Sequence, residues 1–202
     1  MLEYNYFLAE ALRSFTGINP WLDLTVIGMA ELPVLLIPLT LIVLFLKREK
    51  LREDSFFTFF ATVLGIGLSY IVAQAYYQAS PYMVHETLLG TGVEDSFPSQ
   101  HAATMFTFAI ALLYRKRKKT GYIFLILAVL NGLARVIGGE HYPLDIAASA
   151  IIGLVAVLIL GIFEEYIEKF SRWTEKVEKK LLEKLPFNES KLDFPVKAEE
   201  RE

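Results

Sequence analysis

Residues 32–52, LPVLLIPLTLIVLFLKREKLR, form a nearly continuous apolar run that ends in a cluster of basic residues. An α-helix needs about 20 mostly apolar residues to cross roughly 30 Å of hydrocarbon. Extended back to Trp21, the run that ends at Leu46 is long enough to do so, although Asp23 and Glu31 lie in its first half. The stretch therefore predicts a transmembrane helix followed by a loop at the membrane surface.

The charged residues are concentrated at one end of the chain. Of the 20 basic and 23 acidic residues, nine and 11 lie within residues 164–202. The first 163 residues are left with too few charges to cover a soluble domain of that size, which predicts an integral membrane protein. The net charge of -3 excludes a basic nucleic-acid surface, so we expect no nucleic-acid partner. We divide the chain into a membrane domain, 1–163, and a charged tail, 164–202.

Hydrophobic segments elsewhere predict an all-α bundle of about five transmembrane helices. The predicted spans are Trp21–Leu46, Phe56–Tyr77, Ser99–Tyr114, Gly121–Ile137 and Pro143–Phe163. The second span contains Gly65 and Gly67, small residues that suit close helix contact. Leu2–Phe15 predicts an interfacial amphipathic helix. The tail predicts an amphipathic helix to about Leu185, which continues from the last span or lies along the membrane, and disorder beyond it. We expect this helix to stabilise the bundle, the alternative being a docking site for a partner.

Basic residues fix the predicted orientation. With five spans, the loops after the first and third spans and the tail share one face, and they hold 18 of the 20 Lys and Arg residues. The positive-inside rule makes this face cytoplasmic and leaves only Arg13 and Arg135 elsewhere. All three histidines, His85, His101 and His141, then lie on the outer side.

Two polar clusters open predicted helices on that outer side. In the first, Ser96–His101, Ser99 is the expected N-cap of a helix whose free N–H groups suit an anion. In the second, Arg135–Asp145, the arginine needs an acidic partner, either Glu140 or Asp145. His141 and Asp145 are four residues apart, and an aspartate that accepts from one imidazole nitrogen leaves the other free to attack.

Taken together, the clusters place an arginine, two histidines, an aspartate and a helix N-terminus in one pocket. A guanidinium and free N–H groups suit phosphate, and two histidines suit the roles of nucleophile and acid. No cysteine is present, and no carboxylate cluster indicates a metal. We therefore expect phosphoryl transfer without a metal or cofactor. Each cluster taken alone is also compatible with a purely structural role.

These residues resemble the type-2 phosphatidic acid phosphatases. Pro98, Ser99, Gln100 and His101 match the family's second motif, Pro-Ser-x-His, and Arg135, His141 and Asp145 match the third. The phrase Ser-Phe-Pro-Ser-x-His is most similar to the undecaprenyl diphosphate phosphatase branch. The resemblance implies that His141 is the nucleophile, which forms a phosphohistidine, and that Asp145 orients it. It also implies that His101 protonates the leaving group and that Arg135 and Ser99 hold the phosphoryl oxygens, with Gln100 beside them.

The first family motif, Lys, six residues, then Arg-Pro, is not matched. Aligned on Pro81, the chain has Ala73 and Ser80 where the family has its two cations, and Ala134 replaces the serine of the third motif. We consider Tyr82 and His85 as partial substitutes in substrate binding, although interfacial residues of these types are more often simply packed.

We therefore expect a membrane lipid phosphatase that acts at the outer face on a polyprenyl phosphate or diphosphate, whose chain lies in the lipid bilayer. Two alternatives remain. One is a phosphatase acting on phosphatidate or phosphatidylglycerol phosphate, and the other is a non-catalytic lipid-binding relative. The missing cations favour the last reading, whereas the intact histidines and Asp145 oppose it.

Overall fold

A computed structural model describes residues 2–46, 49–83, 87–89 and 94–182. Within these ranges the chain forms seven α-helices and no named strand, which confirms the predicted all-α fold. The helices are α1 (Leu2–Arg13), α2 (Pro20–Leu46), α3 (Glu49–Ala75), α4 (Gln100–Tyr114), α5 (Lys118–Ile137), α6 (Pro143–Ile162) and α7 (Glu164–Leu182). The predicted disorder after residue 185 falls outside the described residues.

A helix is found at each of the five predicted spans, but they differ in length. Among the described residues, four helical segments are long and apolar enough to cross a membrane, namely Pro20–Leu46, Leu51–Ala75, Lys118–Ile137 and Pro143–Ile162. The remaining one, α4, has 15 residues. At 1.5 Å per residue it extends only about 22 Å. It lies among α3, α5 and α6, so its side chains contact protein along most of its length.

Small residues let two helices approach α4 closely. Thr107 is fully buried near the middle of α4, and an added Cβ at Gly65 of α3 or Gly153 of α6 would collide with it. This confirms the predicted role of Gly65. A Cβ on Gly67, by contrast, would meet nothing within 4 Å, so that glycine makes no close contact of this kind.

Ion pairs hold the charged end of the bundle together. Asp54 of α3 is buried and pairs with Arg115 and Arg117, which follow α4. Arg115 also pairs with Glu164 and Glu168, so it ties the start of α7 to the bundle. A buried carboxylate is tolerated only when it is paired, and two guanidinium groups meet that need here.

Helix α7 has the amphipathic character that the sequence predicts. Phe170 packs edge-on against Phe56 of α3 with ring centroids 5.3 Å apart, and Arg172 pairs with Glu53 at 3.1 Å. Other apolar side chains of the helix, including Tyr166 and Trp173, are exposed. One side of α7 therefore stabilises the bundle while an apolar surface remains uncovered within the described part of the chain.

At the opposite end of the bundle, the segment between α3 and α4 is closed by backbone pairing. Ala79 and Asp95 form an isolated antiparallel bridge, and the Ser96 N–H donates to the Gln78 carbonyl at 2.8 Å. This pairing brings the residues before α4 close to the turn that separates α5 from α6. It creates the polar end at which both sequence motifs lie.

Candidate active site

A cavity of about 310 Å³ lies at this polar end of the bundle, where α4 and α6 begin and α5 ends. It brings together four of the residues singled out from the sequence, His141, His101, Arg135 and Gln100. The remaining described lining residues are Glu31, Ser80, Asp95, Pro98 and Glu140. The two motifs therefore face one cavity, although 33 residues separate the end of the first from the start of the second.

His141 is held by a backbone carbonyl. Its Nδ1 lies 2.7 Å from the carbonyl oxygen of Ser96, just before α4. A carbonyl can only accept, so the imidazole proton is on Nδ1 and the lone pair of the neutral ring is on Nε2. The ring is buried. A histidine in this tautomer presents an unprotonated nitrogen that can attack an electrophile.

Asp145 lies beside His141 but does not accept a hydrogen bond from it. Its Oδ2 is 3.7 Å from His141 Nδ1, beyond hydrogen-bond distance, whereas the same oxygen accepts from the Tyr142 N–H at 2.7 Å. Its other oxygen accepts from Gln78 Nε2 at 3.3 Å. Asp145 is the third residue of α6, where a carboxylate completes a capping box. The predicted hydrogen bond from His141 to Asp145 is thus corrected to one from His141 to Ser96.

Arg135, near the end of α5, is almost completely buried and makes two ion pairs. One is with Glu140, which was one of the two partners predicted from the sequence. The other is with Glu31 of α2, at 2.8 Å. The Nε–H of Arg135 has no acceptor among the described residues. A buried guanidinium with a donor still available is suited to an anionic ligand.

Ser99 is the N-cap of α4, as predicted. Its Oγ accepts from the Ala102 N–H at 3.4 Å, and its carbonyl accepts from the hydroxyl of Ser149 in α6 at 2.9 Å. The side chain is buried and serves the helix start. Gln100 and His101, in the first turn, face the cavity, so the positive end of the α4 dipole lies beside it.

His101 approaches a carboxylate that the sequence did not mark as part of the site. Its Nε2 lies 3.7 Å from Glu31 Oε2, and Glu31 lines the cavity. The signal in the sequence was an acidic residue at membrane depth, which is a functional hypothesis by default. Glu31 was noted only as an interruption of the first span.

Ser80 lines the cavity and Pro81 begins a short 3-10 turn, so the segment aligned with the family's first motif does reach the site. The side chains of the two residues proposed to replace its cations both lie outside the described part of the chain. His85 lies outside the described residues, and so does the side chain of Tyr82.

The described lining of the cavity is rich in acids. It contains the carboxylates of Glu31, Asp95 and Glu140 against the single guanidinium of Arg135. Asp95 accepts from two backbone N–H groups, which assigns it to the turn before α4. Among the described residues, no group of three or more His, Asp or Glu is placed to hold a metal ion.

Comparison with known proteins agrees with these features. The family model described as the PAP2 superfamily matches residues 55–168. The undecaprenyl-diphosphatase BcrC of Bacillus subtilis is 24% identical over 184 residues, which cover 90% of this chain and 95% of that protein. An undecaprenyl-diphosphatase of Sulfolobus acidocaldarius is 34% identical over 122 residues, covering 58% of this chain and 57% of that protein.

A solved structure has the same fold. The crystal structure of Aquifex aeolicus LpxE superposes with a TM-score of 0.65 at 28% sequence identity. The match covers 77% of this chain and 93% of that one. The match thus includes most of the helical bundle.

Proposed function

Because the chain belongs to the PAP2 superfamily, we propose that it is a membrane phosphatase that hydrolyses a polyprenyl diphosphate to the monophosphate through a phosphohistidine at His141. The observation that carries this proposal is the hydrogen bond from His141 Nδ1 to the Ser96 carbonyl, which leaves Nε2 as a nucleophile facing the cavity. The similarity to two undecaprenyl-diphosphatases supports a diphosphate on a polyprenyl chain as the substrate.

The reaction follows from the arrangement of these groups. Nε2 of His141 attacks the terminal phosphorus, and the bond from phosphorus to the bridging oxygen breaks as the P–N bond forms. His101 donates its proton to that oxygen, so the lipid monophosphate leaves. A water molecule, deprotonated by His101, then cleaves the P–N bond and releases inorganic phosphate.

Arg135 and the first turn of α4 stabilise the charge on the phosphoryl oxygens in both steps. Phosphoryl transfer is catalysed mainly by positioning and by such fixed charges. The positive end of α4 and the guanidinium border the same cavity, so an anion held there contacts both. In this proposal Asp145 supports the site by holding the start of α6, from which His141 projects.

The substrate enters from the lipid. The cavity of about 310 Å³ accommodates a head group, while the chain stays in the bilayer beside the exposed apolar surfaces of α2 and α3. The distribution of basic residues favours a site on the extracytoplasmic face, with the C-terminus in the cytoplasm.

The test is phosphate release from lipid diphosphates and monophosphates by the purified protein, with and without a metal chelator. His141→Ala should abolish turnover, and rapid alkaline quenching of the wild type with a diphosphate labelled with ³²P at its terminal phosphorus should trap an acid-labile, base-stable phosphoprotein. A folded His141→Ala protein that retains wild-type activity would exclude His141 as the nucleophile.

A lipid phosphate monoester is a second candidate substrate. The lipid A 1-phosphatase of Rhizobium johnstonii, which is 30% identical over 115 residues, favours it. The same panel separates the candidates, because a monoester has a poorer leaving group than a diphosphate. A monoester phosphatase should therefore depend more strongly on proton donation, and His101→Ala should reduce its rate more than it reduces diphosphate hydrolysis.

A further inference from the structure

Glu31 lies between the two groups that the reaction needs most. Its Oε1 is 2.8 Å from a terminal nitrogen of Arg135, and its Oε2 is 3.7 Å from Nε2 of His101. In the proposed reaction, these same two groups contact a phosphoryl oxygen and the leaving-group oxygen. The Glu31 carboxylate therefore occupies the position that the phosphate of the substrate needs.

The placement of Glu31 is built into the contact between α2 and α5. Pro33 has no N–H, so the carbonyl of Met29 lacks its usual helical donor. The side-chain amide of Asn131 donates to this carbonyl at 3.0 Å and to that of Ala30 at 2.7 Å. Asn131 precedes Arg135 by one helical turn, so this contact aligns the next residue of α2, Glu31, with the guanidinium.

The two carboxylates paired with Arg135 differ in how easily a phosphate can displace them. The side chain of Glu140 is 5% exposed, and that of Glu31 is 45% exposed. Separating the buried pair would leave an uncompensated charge inside the protein, which is strongly unfavourable. The half-exposed carboxylate of Glu31 lines the cavity, so turning away from Arg135 costs it little. Glu31 is therefore the partner that an incoming phosphate can displace.

We propose that Glu31 is a displaceable competitor for the phosphate position, which weakens the binding of free inorganic phosphate and so limits product inhibition. This inference rests on the proposed function of the site. Every anion must displace the carboxylate, but a lipid substrate also gains binding energy from its chain in the bilayer. Inorganic phosphate has no such contribution, so the competition keeps its affinity low and lets it leave.

The experiment measures phosphate affinity without requiring turnover. Thermal unfolding of the purified protein in detergent is followed at increasing concentrations of inorganic phosphate, against sodium chloride of equal ionic strength. A ligand that binds only the folded state raises the transition temperature, and the dependence of that rise on ligand concentration gives the dissociation constant. Glu31→Gln keeps the side-chain shape and removes the charge. Glu3→Gln is the matched control, because Glu3 is an exposed residue of α1 that does not line the cavity.

We expect Glu31→Gln to bind inorganic phosphate at least about threefold more tightly than the wild type, and Glu3→Gln to behave as the wild type. The inhibition constant of phosphate in the hydrolysis assay should fall by the same factor. Glu31→Asp, which keeps the charge but shortens its reach, should give a smaller change in the same direction, and it serves if the glutamine variant does not fold.

Unchanged or weaker phosphate binding in both Glu31 variants would overturn the inference. A loss of kcat with no gain in phosphate affinity would do so too, since it would show that Glu31 serves only to hold the His101 imidazolium. Failure of the proposed function looks different. In that case the wild type releases no phosphate from any lipid, whereas the binding measurement still reports on Glu31.

Discussion

The pair formed by Arg135 and Glu140 combines stability and catalysis in one contact. Both side chains are buried, at 3% and 5% exposure. In the proposed reaction Arg135 also stabilises the transition state. A single substitution therefore changes two quantities, and the kinetic effect is meaningful only when the effect on folding has been separated from it.

Arg135→Ala should lower the rate of lipid diphosphate hydrolysis by about 100- to 1000-fold, as does the loss of an oxyanion donor. It should also destabilise the protein by about 3–5 kcal/mol, because Glu140 keeps a buried charge without its partner. Adding Glu140→Gln to Arg135→Ala should restore much of the thermal stability but none of the activity. Recovery of activity in the double variant would show that Arg135 acts only through folding.

At the scale of single residues, the sequence predicted which side chains line the site better than it predicted the groups that form hydrogen bonds with them. The two motifs correctly located His101, Arg135 and His141 at one cavity. They did not predict that a backbone carbonyl, that of Ser96, holds His141, because every residue carries a carbonyl and its use leaves no mark on the sequence. Glu31 does carry a signal, an acidic side chain within an apolar span, but the sequence does not show that α2 packs where this side chain reaches His101 and Arg135.

Helix α1 contacts the turn that carries His141. Asn5 is buried, and its Oδ1 accepts from the Leu144 N–H in the first turn of α6 at 3.0 Å. The Tyr6 ring contacts the ring of Tyr142 edge-on at 4.8 Å. Burial, together with the neighbouring Tyr6, raises the pKa of the Tyr142 phenol, so this phenol stays protonated over the pH range in which enzymes are assayed. The two contacts flank the turn that carries His141.

Asn5→Ala should therefore lower kcat, by about 2- to 30-fold, with a smaller change in KM. Losing an acceptor at a helix N-terminus costs about 0.5–2 kcal/mol, and this cost raises the activation free energy because His141 is less well positioned. Asn5→Asp retains the acceptor and should preserve most of the activity. Equal losses of kcat in both variants would argue against positioning through this hydrogen bond.

At the scale of helices, the hydrophobic and amphipathic patterns predicted each helix but not which other helices it packs against. The helix over Leu2–Arg13 was expected from its amphipathic pattern, yet its contact with α6 depends on Asn5, a residue with no periodic signal. The short span α4 was also predicted, and its central position explains its length, because it is surrounded largely by protein. Which helix occupies the centre is decided by close contacts such as Gly153 against Thr107, which a hydropathy pattern does not contain.

The whole molecule has two chemically different ends. One carries His101, His141 and the cavity, and the other carries Asp54 with Arg115 and Arg117 and the start of α7. The sequence predicted this division from its basic residues alone, since the bundle's alternating helices place successive loops at opposite ends. Which end faces the cytoplasm is a property of the protein in its membrane, and it stays a prediction based on the positive-inside rule.

Single cysteines can test this orientation cleanly, because the chain contains no native cysteine. Ser14→Cys lies just after α1 at the cavity end, and Lys118→Cys lies at the start of α5 at the other end, and both positions are exposed. An impermeant thiol reagent should label Ser14→Cys in intact cells and should label Lys118→Cys only after the membrane is permeabilised. The physical reason is that translocating the basic segments 47–52 and 115–119 opposes the membrane potential and their attraction to anionic lipids of the inner leaflet. The reverse labelling pattern would place the cavity at the cytoplasmic face and contradict the predicted orientation.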